Sequence, residues 1–113
     1  MKKKIRKAKV DIEISLNENN IAETISWLAS DHGHDYFDAK SMILSLWDGK
    51  KKEALSIDVW TKDMTVQEMK FFIFQILLKI NEVIKKSTGE EKLSLEMQSF
   101  IKRFGVLAEV IKK

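Results

Sequence analysis

The sequence predicts an α+β fold, an antiparallel β-sheet of about four strands followed by two α-helices packed on one face. Three observations carry that expectation. Residues 8–16 alternate between apolar and polar side chains, two further strand-like runs flank a Gly-containing turn at 48–53, and helical spacing dominates after residue 64. Strands first and helices afterwards is the segregated order of a sheet covered on one side by helices.

The first strand is expected over about 5–16. Ala8, Val10, Ile12, Ile14 and Leu16 share one face, with Lys9, Asp11, Glu13 and Ser15 on the other. Asn17-Glu18-Asn19-Asn20 ends it, because Asn side chains replace turn hydrogen bonds and tolerate positive φ. A second strand, about 24–29, puts Ile25, Trp27 and Ala29 on one face. A polar loop follows over 30–37, with a helical turn over 37–43 as an open alternative to an extended approach.

Strands at about 41–48 and 54–61 then form a hairpin. Placing Trp47 opposite Ala54 sets Leu46 against Leu55, Leu44 against Ile57 and Met42 against Val59 on one face. The other face pairs Ser45 with Ser56, Ile43 with Asp58 and Ser41 with Trp60. A slip of one residue destroys this sorting, so the side chains themselves fix the register.

The first helix is expected over about 65–87. Thr65 and Glu68 form a capping box at its start, and Lys85 and Lys86 complement the dipole before Ser87-Thr88-Gly89 ends it. The second, about 90–111, carries Leu93, Met97, Phe100, Ile101, Phe104, Leu107 and Ile111 at helical spacing. Gly105 inside it costs about 1 kcal/mol against Ala, which a close approach to a neighbouring backbone would offset.

No repeat or low-complexity linker divides the 113 residues, so one domain over 1–113 is expected, with a basic tail at about 1–6. With 44% hydrophobic and 33% charged residues the chain has the composition of a soluble globular protein. The absence of Cys excludes disulfides, thiolate zinc sites, iron–sulfur clusters and thiol nucleophiles. The net charge of +3 comes from the termini, and of 20 basic residues only Arg6 and Arg103 are Arg. Base-edge readout relies on Arg, so no specific nucleic-acid partner is expected; attraction of the lysine-rich tail to an anionic surface stays open. No apolar segment follows that tail as in a signal peptide. The apolar stretch 71–84 is interrupted by Gln75, Lys79, Asn81 and Glu82, short of the about 20 apolar residues of a membrane span. A cytoplasmic protein is expected.

Catalytic chemistry has little to stand on. Asp31-His32-Gly33-His34-Asp35 holds both histidines and is the one metal candidate, but His32 and His34 supply two good ligands with no evident third. No phosphate loop, nucleophile elbow or metalloprotease motif is present. The expectation is no enzyme and no cofactor.

Two surfaces suggest protein contacts instead. In the first helix Met69, Phe72, Ile73, Ile76, Ile80 and Val83 form a core stripe, while Phe71, Phe74, Leu77, Leu78 and Ile84 widen it over most of the circumference. Such an arc needs cover on two sides, from the sheet and from either the second helix or another chain, as in a homodimer. On the hairpin, Trp47 and Trp60 share the outer face with Ile43 and Asp58; Trp is enriched where proteins bind one another. Either a partner or the rest of the protein covers these rings. The candidate partner-binding residues are Trp47, Asp58, Trp60, Phe71, Phe74 and Leu78.

Ser45-Leu46-Trp47-Asp48, then Ile57-Asp58-Val59-Trp60-Thr61-Lys62-Asp63-Met64 and Glu68-Met69-Lys70, resemble the GldC family of gliding-motility proteins of Bacteroidota. Ile25-Ser26-Trp27 and residues 71–75 extend the similarity over nearly the whole chain, with Thr65 standing where members often carry Pro. The resemblance implies a small cytoplasmic accessory protein of the gliding machinery, with other gliding-motility proteins as partners and no catalytic residues. The strand and helix order is also similar to that of the export chaperone SecB, which leaves a holdase for exported chains as the alternative reading.

Overall fold

A computed structural model describes residues 4–33 and 35–112. The chain forms two compact units, a strand unit ending at Met64 and a helical unit beginning at Thr65. The strand unit holds β1 (Val10–Leu16), β2 (Ala22–Ala29), β3 (Phe37–Ala39), β4 (Ser41–Asp48) and β5 (Glu53–Trp60), with a 3-10 turn at Ser30–His32. The helical unit holds α1 (Val66–Thr88) and α2 (Glu91–Leu107). The α+β class and the order of elements are those expected.

The strands make two sheets rather than one. β1, β2 and β3 form a three-stranded antiparallel sheet in that order, and β4 and β5 form an antiparallel hairpin. The division falls at Lys40, the only residue between β3 and β4. Residues before it pair with β2 and residues after it pair with β5. β3 itself was expected as loop or helical turn. It is extended because Ala39, Asp38 and Phe37 pair with Ile25, Ser26 and Trp27, and the rings of Trp27 and Phe37 meet in a tilted contact with centroids 5.7 Å apart. Tertiary pairing decides a segment whose own pattern is too short to do so.

β1 begins at Val10, later than expected, because its pairing with β2 ends where Val10 meets Ala29. Ser30 then closes that end: its amide donates to the Lys9 carbonyl and its hydroxyl accepts from the Lys9 amide. At the opposite end the Asn17 Oδ1 accepts from the Asn19 and Ile21 amides, and Asn20 takes φ +61°. The Asn-rich turn therefore works as its composition predicts.

Val10, Ile12 and Ile14 lie opposite Ala29, Trp27 and Ile25. Ile25, with Ile14 on one side and Ala39 on the other, is only 1% exposed. It anchors the strand unit, where, among the described residues, Ala22 is the other deeply buried apolar side chain.

The α1 capping box is complete. Thr65 Oγ1 accepts from the Glu68 amide at 3.0 Å, and the Glu68 carboxylate accepts from the Thr65 amide at 3.0 Å. Thr65→Ala leaves the Glu68 amide without its side-chain acceptor. The expected result is a loss of about 1 kcal/mol, read as a lower urea midpoint at unchanged slope. Gly89, in the left-handed conformation at φ +69°, stops α1 by donating its amide to the Lys85 carbonyl.

α2 ends at Leu107, short of the expected 111. Glu109 turns left-handed at φ +61°, and the Val110 and Ile111 amides fold back onto the Gly105 carbonyl. Gly105 is needed because of this return. A Cβ there would stand 2.7 Å from Phe74 Cε1 and 2.8 Å from Ile111 Cγ1, so the close approach involves side chains and not a backbone. Between the helices, the buried Ser94 hydroxyl bonds Asn81 Oδ1 at 2.9 Å.

Candidate interaction surface

The hairpin has the register that its side-chain sorting predicts, from Ser41 opposite Trp60 to Asp48 opposite Glu53. Its tip is held by Asp48, whose Oδ1 accepts from the Lys50 and Lys51 amides at 2.9 and 3.2 Å. One face carries Ser41, Ile43, Ser45 and Trp47 against Trp60, Asp58, Ser56 and Ala54. The Ser45 and Ser56 hydroxyls bond each other across its middle, and the Ser41 hydroxyl donates to the Val59 carbonyl.

Trp47 is 68% exposed and Trp60 is 54% exposed. They lie at opposite ends of this face, six residues apart along β4, which is about 20 Å at strand rise. Asp58 and Ile43, both exposed, fill the Trp60 end. The face is thus a stripe with an aromatic anchor at each end, two hydroxyls in the middle and one carboxylate. That composition suits protein recognition, with rings for apolar pockets and polar groups for register.

The second face, Met42, Leu44 and Leu46 against Val59, Ile57 and Leu55, is wholly apolar between Lys40 and the tip. Leu46, Leu55 and Ile57 are each more than half exposed. Met42, Leu44 and Val59 on the same face are half-buried, and a two-stranded hairpin with this much apolar surface is marginal on its own.

The helical candidates separate. Phe71 and Leu78 are exposed on α1, whereas Phe74 is half-buried with its ring edge against the Gly105 position of α2. The structure brings Trp47, Asp58 and Trp60 onto one face and places Phe74 in the α1–α2 contact.

One polar site escapes sequence reasoning. A cleft of about 380 Å³ lies where β2, β3 and the end of β5 meet, lined by Glu23, Thr24, Ile25, Asp38, Ala39, Lys40, Thr61 and Asp63. Ala22 and Thr61 form a parallel bridge there, and Thr61 is buried with its hydroxyl donating to Asp63. Lys62 Nζ meets Glu23 Oε1 at 2.9 Å, and Asn17 Nδ2 reaches the same oxygen at 3.3 Å. The Lys62 hydrogen bond, then that from Asn17, holds the Glu23 carboxyl below the usual glutamate range. Asp63 also faces Lys40 at 4.0 Å, and Asp38 accepts from the Ser26 hydroxyl. The acids of the cleft are engaged in contacts within the strand unit, which ties β2, β3 and the end of β5 together. No local pattern reveals it, because its parts lie 39 residues apart.

The metal candidate lies outside the described residues: His34 altogether, and His32 beyond its backbone in the 3-10 turn. Of its neighbours, Asp31 accepts a two-pronged ion pair from Arg6, at 2.9 and 3.2 Å. Lys2, Lys3 and Lys113 of the basic ends likewise lie outside. Among the described residues no group of three His, Asp or Glu side chains is placed to hold a metal ion, and no helix is long and apolar enough to cross a membrane.

Comparison with known proteins agrees with the resemblance at Trp47 and at 57–64. No curated protein and no solved structure matches the chain. A family model described as gliding motility-associated protein GldC-like matches residues 22–110, from the first residue of β2 to beyond the end of α2. That span holds both tryptophans of the hairpin stripe, the Thr61 junction and both helices, and on it the chain belongs to the GldC-like family of gliding motility-associated proteins.

Proposed function

We propose that this protein is a non-enzymatic, cytoplasmic accessory of bacterial gliding that acts by protein–protein contact. Its partners are other gliding-motility proteins and further copies of itself. The observation that carries this reading is the exposed Trp47–Asp58–Trp60 stripe on one face of the β4–β5 hairpin. Family membership supplies the process. The exposed Phe71 and Leu78 on α1 offer a second contact point.

Affinity capture of the tagged protein from its native host, followed by mass spectrometry, tests the proposal. One or two stoichiometric partners are expected. Trp60→Ala should weaken their binding by at least about 30-fold, the equivalent of about 2 kcal/mol for an aromatic anchor, with an unchanged circular dichroism spectrum. Retention of the partner by folded Trp60→Ala would refute the stripe as the contact. A broad set of exported or nascent chains, held without stoichiometry, would instead establish the SecB-like holdase reading.

A further inference from the structure

The geometry points to a second copy of this chain on the open edge of β4, paired antiparallel about a two-fold axis at Leu44. This rests on the self-association proposed above and assigns it a strand and a register.

The edge strands of the unit are not equally guarded. β1 carries Asp11 and Glu13 in its middle and a register irregularity at Ser15/Leu16, both devices that stop another chain from adding to an edge. β3 is three residues long, and β5 carries Asp58. β4 has none of these: from Ser41 to Trp47 it has no charge, no proline and no bulge. Among the described residues it pairs with β5 alone. An edge of that length and composition is a template for another strand.

Which groups face that edge follows from the ladder. The Thr61 amide donates to the Lys40 carbonyl at 2.8 Å, which makes Lys40–Thr61 a hydrogen-bonded pair. Pairs alternate along an antiparallel ladder, so Met42, Leu44 and Leu46 bond β5. The amides and carbonyls of Ile43, Ser45 and Trp47 then point outward.

Charge complementarity selects the occupant and the register. With Leu44 opposite Leu44 of the second copy, Met42 meets Leu46 and Ile43 meets Ser45, so apolar and mixed faces stay sorted across the new junction. The same register sets Asp48 opposite Lys40 of the second copy, once at each end of the seven paired residues. The Asp48 turn bonds use Oδ1, and Lys40, which faces Asp63 of its own chain at 4.0 Å, stands at the register position across from it. Sliding the pairing by one residue mixes the faces, and sliding it by two separates Asp48 from Lys40. The product is a four-stranded sheet with the two apolar hairpin faces continuous on one side.

The chain lacks Cys, so single cysteines test this directly. In the assigned register Leu44 is a non-hydrogen-bonded pair, with Cα atoms about 4.5 Å apart, within disulfide reach. The full chain at micromolar concentration should show a dimeric mass by light scattering. Oxidised Leu44→Cys should become a covalent dimer, and Leu55→Cys, on the same face but on β5, should not. Ser45→Pro, which removes an amide that β5 does not use, should keep the folded spectrum and weaken dimerisation at least 100-fold. A monomeric wild type overturns both self-association and this assignment. A dimer that cross-links through Leu55→Cys, fails to cross-link through Leu44→Cys or survives folded Ser45→Pro overturns the assignment alone.

Discussion

Ile25→Ala is expected to destabilise the strand unit by about 3 kcal/mol, the largest effect of any single truncation in it. Removing a branched side chain from a filled site loses its transfer free energy and leaves a cavity, together about 2–5 kcal/mol. Ile25 is 1% exposed and packed between Ile14 and Ala39, whereas most other apolar side chains of the unit retain access to water. Little is available to collapse into the gap without pulling β1 or β3 off β2. Urea unfolding followed by far-ultraviolet circular dichroism measures the loss, with Ile25→Val, at about 1 kcal/mol, as the graded control. A loss for Ile25→Ala below that of the Val variant would mean that the three-stranded sheet is not organised around this side chain.

Gly105→Val is expected to cost the helical unit about 2–3 kcal/mol, because overpacking outweighs the roughly few tenths of a kcal/mol by which Val is a better helix former than Gly. The new Cβ would stand inside contact distance of Phe74 Cε1 and of both Ile111 Cγ1 and Cδ1. The Ile111 atoms end a flexible side chain near the terminus and can move aside. The Phe74 ring sits mid-helix and moves only by opening the α1–α2 contact. Gly105→Ala therefore separates the terms, because its propensity gain of about 1 kcal/mol offsets part of the clash. Thermal melts at 222 nm should rank wild type above Ala and Ala above Val. A Val variant as stable as wild type would show that Phe74 does not close on Gly105.

Much of this fold is legible in the sequence where both faces of an element carry information. The hairpin register is recoverable because Met42, Leu44 and Leu46 find apolar partners in only one alignment, and the structure has that alignment. The Thr65–Glu68 cap is legible because it is local. β3 is not, since Phe37, Asp38 and Ala39 offer one and a half periods and acquire their conformation from β2. Nor is the division into two sheets, which turns on Lys40 alone. The end of α2 is missed for the opposite reason: Ile111 fits the helical period but reaches Gly105 by folding back through Glu109. At the candidate surface, periodicity places Trp47, Asp58 and Trp60 on one face, which the structure reproduces. Periodicity does not separate Phe74 from Phe71, because an apolar arc that wide leaves the direction of each ring to the packing of α2. The Glu23–Lys62 and Ala22–Thr61 contacts are invisible to any local pattern.

That junction also orders the events of folding. The β1–β2 and β4–β5 ladders each close across a short turn, so each forms on the microsecond scale of an isolated hairpin. Bringing Glu23 to Lys62 closes 39 residues, which in loop entropy costs about 2 kcal/mol more than a tight turn. The two hairpins are thus early local events and their union at Thr61 is the late one. On the ribosome, Glu23 must wait for its contact until residue 62 has emerged, and until β5 follows, neither edge of the uncharged β4 is paired by it.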